Sequence, residues 1–504
     1  MQHKHLKIDV AMMVIPIIAI IILCGLFEIF PQQSQVTLRT MRNFLGNNFG
    51  SYYILMALIF FISSLYVAFS KYGHVKLGTI DEQPQYSNFH WGMLIFTSTM
   101  SADIIFYSLS EWMMYGQTKF IQHQVGGMQK WALTYSLFHW GPLAWSFYIM
   151  LAVAFGYMLY VQKNAKQKFS EACRPLLGKA VDGIIGKLID LLAIFALIAG
   201  TSTSFSVSMP LLADALIKLC NWPANYAKML SVIMLLIVVC VYTFVILHGV
   251  KGIAKLAQVC TWCFGAFLLY CFLCSGHQRY IIEAGIQSLG NMLQNFIGMA
   301  TTTDPLRHYT FTQAYTIYYW SYWMVWCVAT PFFIGSISKG RTIRNVVFGG
   351  YGWGLAGTYT AFIVLTNYGM AQQFFNHLQI FKFLQHHTYA QAIIHILMTL
   401  PWHQIALVLL IITMVGLYAT VFDAITMVVS SYSYQALPAN QTPGKPMRVF
   451  WAIVFILLPI TLLLTGNSIF DLQSVAIIAA FPIGIVMLLI LISFYKAIRK
   501  KNSN

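Results

Sequence analysis

Apolar runs of membrane-spanning length recur along the whole chain. They lie at about 8–30, 50–70, 89–115, 131–161, 184–216, 226–248, 255–276, 311–337, 343–370, 399–434, 447–466 and 471–496. A span needs about 20 mostly apolar residues, so twelve crossings are expected, with no room left for a separate soluble domain. Backbone amides in lipid must be satisfied within the span, which calls for helices. The runs are continuous rather than alternating, which argues against a barrel. Only 9% of the residues are charged, against about 25% in soluble domains. The expected fold class is an all-α polytopic membrane protein, one transmembrane domain over 1–504. Several runs exceed the minimum, so tilts or breaks are expected there. The first run is too long for a signal peptide and lacks a small-residue cleavage motif.

The net charge of +16 suggests a nucleic-acid partner, but its distribution argues against one. Threading twelve spans with both termini on one side puts 20 of the 30 lysines and arginines on that side and 9 on the other, with Lys187 near the boundary. The positive-inside rule then makes both termini cytoplasmic in a cytoplasmic-membrane protein. The basic side also suits contact with anionic membrane lipid. The nine cysteines form no metal or disulfide pattern; most sit in or beside spans and read as small hydrophobes. No nucleotide-binding loop, metal cluster or nucleophile–base arrangement stands out. An enzyme is therefore not expected, nor a cofactor.

Two segments between spans stand apart. Residues 278–299 place Ile282, Ile286, Leu289, Leu293 and Ile297 on one helical stripe, expected to be an amphipathic helix against the bundle. Residues 371–398, rich in His and Gln, are a weaker candidate. The spans divide into two peripheral leading helices and two sets of five, 89–276 and 311–496. An odd number per set inserts the two sets in opposite orientations. Such inverted repeats place a binding site near the midplane, where the first helices of the sets meet.

Those two helices carry the chain's oddest residues. The stretch YYWSYWMVW, 318–326, places Tyr319, Tyr322, Trp323 and Trp326 on one helical face. An interfacial belt suits Tyr315, Tyr318 and Tyr319 near the span's end, but not Trp323 and Trp326 near its middle; core packing is the other alternative. FHWGPLAWSFY, 138–148, adds Trp140, Trp145 and Tyr148. Rings from two helices at one level can hold a cation through their negative faces. Quaternary ammonium suits such a cage, having no N–H to donate. In the third run Asp103 is an intramembrane carboxylate, a functional-site candidate by default. A structural pairing with a polar neighbour is its alternative. The polar run Thr97, Ser98, Thr99 and Ser101 could locally unwind the helix and expose carbonyls.

FHWGPLAW, YWSYWMVW and ISKGRT together resemble the betaine/choline/carnitine transporter family, over about residues 8–496. The resemblance implies twelve helices with the five-plus-five inverted repeat of the amino-acid–polyamine–cation carrier fold, and often a homotrimer. It implies a trimethylammonium-type substrate held by Trp140, Trp145 and Tyr148 and by Tyr322, Trp323 and Trp326, with Trp320 just beside. Tyr322 stands where the family usually has Trp. Thr99, Ser101 and Asp103 replace the glycine-rich stretch of betaine carriers, and the Asp matches choline-type members. Thr420-Val421 replaces the Thr-Ser pair of sodium-coupled members, and Cys260 the arginine of carnitine exchangers. Glu111 matches a family glutamate and is read as structural, as is His139. Asp423 is a candidate for proton coupling or for a helix–helix hydrogen bond. The expected function is uptake of choline or a close quaternary amine, with a carnitine or glycine betaine carrier or exchanger as the alternative. A channel would want a continuous polar pore instead of a cage.

Overall fold

Helix occupies each of the apolar runs, but not always in one piece. The computed structural model describes residues 7–99, 102–163, 166–247, 250–437, 441–466 and 468–501. The chain opens with α1 (Val10–Ile29), α2 (Pro31–Asn48) and α3 (Gly50–Phe69), then α4 (Asn88–Thr99), α5 (Ala102–Gly116), α6 (Gly127–His139) and α7 (Pro142–Tyr160). Next come α8 (Ile184–Cys220), α9 (Ala227–Leu247), α10 (Val250–Cys274) and α11 (Gln278–Thr301). The second half holds α12 (Ile317–Trp326), α13 (Thr330–Ser336), α14 (Ile343–Phe374) and α15 (Tyr389–Leu397). It closes with α16 (His403–Tyr432), α17 (Lys445–Leu464) and α18 (Ile469–Lys501).

Among the described residues, nine helical stretches are long and apolar enough to cross a membrane, with Gly127–Tyr160 taken as one. The third, eighth and ninth expected spans are not among them. The third is covered by α4 up to Thr99 and by α5 from Ala102. The expected unwinding there rests on Met100, Ser101 and the side chains of Thr97, Ser98 and Thr99, which lie outside the described residues. The eighth is broken twice. A π turn covers Thr312–Thr316, and α12 stops at Trp326 before α13 restarts with Pro331 in its first turn. Proline has no N–H to continue the preceding ladder, so it starts a helix better than it extends one. The same chemistry breaks the fourth span: Gly141 is extended and Pro142 opens α7. The ninth, α14, is an unbroken 32-residue helix whose glycines and polar residues lower its hydropathy.

The middle of the molecule is built from these interrupted segments. Every residue of α5 and of α12 is buried, as expected of helices apolar all round that have protein on every side. By contrast α1 is peripheral, with Val10, Ile21 and Ile29 well exposed. Residues assigned to one side by charge meet at one end of the bundle. Arg39 pairs with Asp471 at 2.5 and 2.9 Å, and Arg307 Nη2 donates to the Asn47 carbonyl at 2.7 Å. At the other end, isolated bridges join Ile8 to Tyr434 and Lys76 to Thr342. There Arg174 grips Glu171 and Asp182, and its guanidinium, with the Lys166 ammonium, holds the Asp182 carboxyl below the usual carboxylate range.

The 278–299 segment is helical, as α11, but its apolar stripe faces outward. Ile282, Ile286, Leu293 and Ile297 are 50, 67, 69 and 77% exposed. The helix meets the bundle through Ala284, Gly285, Ser288 and Asn291, with Ile281, Met292 and Met299 beside them, and Asn291 Nδ2 donates to Thr134 Oγ1 at 3.1 Å. In water an apolar stripe turns inward; beside lipid the driving force for that is absent, and small residues take a large share of the helix–helix contact.

Candidate functional site

The break between α6 and α7 sets the first wall. Trp140 caps α6, its N–H bonded to the Ser136 carbonyl at 3.0 Å, and Trp145 N–H bonds the Gly141 carbonyl at 3.0 Å. Trp145 and Tyr148 follow one turn apart on α7, with ring centroids 6.0 Å apart. Gly354 of α14 admits the Trp145 indole: a Cβ there would lie 2.5 Å from ring atoms.

Trp323 of α12 supplies the facing wall. Its ring lies 5.6 Å from Trp140, 5.6 Å from Trp145 and 4.6 Å from Tyr148. Tyr322 lies 6.4 Å from Trp140. Five of the expected site rings thus form one buried group. The other two lie elsewhere. Trp320 packs on Phe138 and His139 at 5.5 and 5.9 Å. Trp326 lies against α8, where a Cβ on Gly200 would come within 3.3 Å of its indole. Among the described residues, the indole N–H groups of Trp145, Trp323 and Trp326 have no hydrogen-bond partner.

Asp103 is buried at 1% exposure and joins three helices through hydroxyls. Tyr322 donates to Oδ2 at 2.5 Å; Tyr418 of α16 and Ser208 of α8 donate to Oδ1 at 2.7 and 3.1 Å. Because Tyr322 gives its proton to Asp103, Ser204 donates to the Tyr322 oxygen at 2.7 Å. The carboxylate is one hydrogen bond from the aromatic group. A carboxylate accepts hydrogen bonds in either role, as a counter-ion or as a structural junction. Sequence reasoning missed Tyr418, Ser204, Ser208 and Tyr107. The run TSTSFSVS, 201–208, was a legible signal for two of them, being polar inside an apolar span. Tyr107 lies one turn from Asp103 on α5 and packs on Trp140 and Tyr322 at 5.8 and 6.1 Å.

A second buried network backs Trp140. Its Nε1–H donates to Glu111 Oε1 at 2.6 Å, and Tyr115 OH reaches Glu111 Oε2 at 3.1 Å. Tyr115 OH also meets His139 Nδ1 at 2.8 Å, and His139 Nε2 meets Thr316 Oγ1 at 3.0 Å. Asp423 takes the helix–helix role: Arg448 of α17 donates to its carboxylate and to its carbonyl. Cys260 packs against α16, where a Cβ on Gly416 would overlap its sulfur. Thr420 Oγ1 donates to the Leu417 carbonyl at 2.6 Å. No cluster of three or more His, Cys, Asp or Glu suited to a metal occurs among the described residues. An open cavity of about 330 Å³ lies away from the rings, at the start of the eighth span, between Phe120, Asp304, Tyr309 and Phe311.

The chain matches the profile described as BCCT, betaine/carnitine/choline family transporter, over residues 11–503. It is 31% identical to a probable glycine betaine transporter of Desulfitobacterium hafniense, covering 95% of this chain and 96% of the relative. It is 26% identical to a carnitine transporter of Acinetobacter baumannii, covering 97% and 88%. It is also 26% identical to the osmo-dependent choline transporter BetT2 of Acinetobacter baylyi, covering 99% and 73%. With long apolar helices around a buried group of aromatic rings, and a match that spans nearly its whole length, the chain belongs to the betaine/carnitine/choline family of transporters.

Proposed function

We propose that this carrier takes up choline or a related quaternary ammonium compound across the cytoplasmic membrane by alternating access, with the cation held among Trp140, Trp145, Tyr148, Tyr322 and Trp323. The observation that carries the reading is the pairing of this ring group with Asp103 through the Tyr322 hydroxyl, 2.5 Å from Oδ2. A trimethylammonium group is large and has no N–H, so it gains little from acceptors alone and more from desolvated ring faces. Asp103 adds a compensating charge for a substrate with none of its own. With Tyr148 and Trp323 centroids 4.6 Å apart, the rings touch, and substrate enters as one of them turns aside. Trp326 and Trp320 belong to the same span and line its neighbouring faces.

Twelve crossings in a five-plus-five inverted repeat, both termini cytoplasmic, and assembly as a homotrimer in membrane lipid complete the proposal. The breaks in the fourth and eighth spans support it, since carriers of that architecture bind substrate beside interrupted helices. A carnitine or glycine betaine carrier is the second reading. The unpartnered indole N–H groups of Trp145 and Trp323 favour it, being suited to a substrate carboxylate. Uptake of labelled choline, carnitine and glycine betaine into proteoliposomes, with and without ion gradients, tests both readings. Choline should be preferred; uptake of betaine or carnitine alone would select the second reading.

A further inference from the structure

Glu111 and His139 are both completely buried, and one tyrosine hydroxyl joins them. Among the described residues, no lysine or arginine forms an ion pair with Glu111. The line of contacts runs from Trp140 through Glu111, Tyr115 and His139 to Thr316. It therefore connects α5, α6 and the π turn that opens the eighth span. We propose that Glu111, Tyr115 and His139 form a coupling-proton site, and that its proton count sets the grip on Trp140. This rests on the carrier reading above.

Hydrogen-bond parity supports it. With Glu111 ionised, Trp140 and Tyr115 donate to its oxygens, His139 Nδ1–H donates to Tyr115, and Thr316 donates to Nε2. Every contact has one donor and one acceptor, and the network carries one negative charge. Add one proton at the carboxyl Oε2 and the tyrosine hydroxyl reverses. Glu111 then donates to Tyr115, Tyr115 donates to His139 Nδ1, and Nε2–H, the other tautomer, donates to Thr316. Moving the imidazole hydrogen from Nδ1 to Nε2 conserves the proton count, so the change is one proton gained and one charge removed. The same four contacts serve both states. Trp140 feels the difference, because its bond to an ionised carboxylate is roughly twice as strong as to a neutral one.

The surroundings hold few competing charges. From α5, Tyr107 packs on Trp140, and Tyr115 is part of the chain of contacts. From α6, Tyr135 lies 5.7 Å from His139. From the eighth span, Tyr319 stacks on His139 at 4.7 Å and Tyr315 lies 5.0 Å from Tyr115. From α14, Thr358 donates to the Trp140 carbonyl at 3.2 Å. The cations at that end are engaged elsewhere: Arg42 of α2 is held by the Ala314 and Phe470 carbonyls, Arg39 by Asp471, and Arg307 donates to the Asn47 carbonyl. Asp103, two turns away on α5, belongs to the Tyr322 group.

The test uses full-length protein in sodium-free proteoliposomes, with the potential clamped, labelled choline outside and a pH dye inside. An inward gradient of one pH unit should raise choline accumulation by up to about tenfold for one proton per substrate, and choline addition should acidify the lumen. In Glu111→Gln the ratio of uptake with and without the gradient should fall to one, whatever the basal rate. Tyr115→Phe, which removes the bridging hydroxyl, should do the same. A role in packing alone would lower uptake at every gradient alike and leave that ratio unchanged. The proposal is overturned if wild type takes up choline indifferently to the gradient, or if both variants remain proton-driven. If wild type moves none of choline, carnitine and glycine betaine, the carrier reading itself has failed, and this proposal with it.

Discussion

Replacing Asp103 by asparagine separates a counter-ion from a structural junction. The Tyr322 hydroxyl sits 2.5 Å from the Asp103 carboxylate, and the Tyr322 ring lies 6.4 Å from that of Trp140. A cation against the Trp140 and Trp323 faces would therefore be on the order of 6 Å from the charge. At that separation, with an effective dielectric near 20, one charge pair is worth about 3 kcal/mol, or about a hundredfold in affinity. Choline should lose most of that in Asp103→Asn. Carnitine and glycine betaine carry their own carboxylate, which Asp103 repels, so they should lose far less. Wild type should accordingly prefer choline over betaine, a selectivity built partly on repulsion. Asp103→Gly should weaken choline further and admit betaine. Asparagine also disturbs three hydroxyl contacts, each worth roughly 1.5–3 kcal/mol when the acceptor is charged. That loss appears as a lower melting temperature, independent of substrate. Competition binding of the three compounds on folded wild type and Asp103→Asn is the assay. An asparagine variant with the same affinity and the same preference would refute the counter-ion role and leave Asp103 as a junction between helices.

Trp323→Leu should abolish high-affinity binding while the protein still inserts, since Trp323 lies against Trp140, Trp145 and Tyr148 together; unchanged affinity would mean that the rings are merely core. Gly354→Ala places a methyl 2.5 Å from the Trp145 indole and should weaken substrate binding at least tenfold by turning that ring, an effect that binding isotherms on folded variant would reveal. Asp423→Ala leaves Arg448, 7% exposed, without its carboxylate; the Asp423 side chain is 21% exposed, so losing this charged hydrogen bond costs about 1.5–3 kcal/mol, thermal melting in detergent should drop by a few degrees, and Arg448→Met in the same background should restore much of it. Val421 offers no side-chain oxygen beside Thr420, so uptake should proceed without sodium; strict dependence on an inward sodium gradient in proteoliposomes would contradict this.

Much of this molecule was written in one dimension. Hydropathy located the helices, because lipid forces each crossing to satisfy its own backbone and to be apolar over a fixed length. The positions of Trp140, Trp145, Tyr148, Tyr322 and Trp323 marked a buried ring group, since rings at mid-span have no interfacial reason to be there. Excess length pointed to tilts or breaks in the long runs, and Gly141-Pro142 and Pro331 carry the chemistry that sets two of them. Other features depended on the packing of helices far apart in sequence. That Trp320 turns to Phe138 and Trp326 to Gly200 follows from what lies opposite each ring, and helical spacing does not encode it. The partners of Asp103 come from α8, α12 and α16, and a hydroxyl in an apolar run carries no label naming the carboxylate it will meet. The outward stripe of α11 was legible as a stripe but not in its direction, because periodicity gives a face and only the surrounding medium gives its sign. The line from Trp140 to Thr316 exists only where three segments converge, so Glu111 and His139, each read alone as structural, are joined in one line of contacts by tertiary structure.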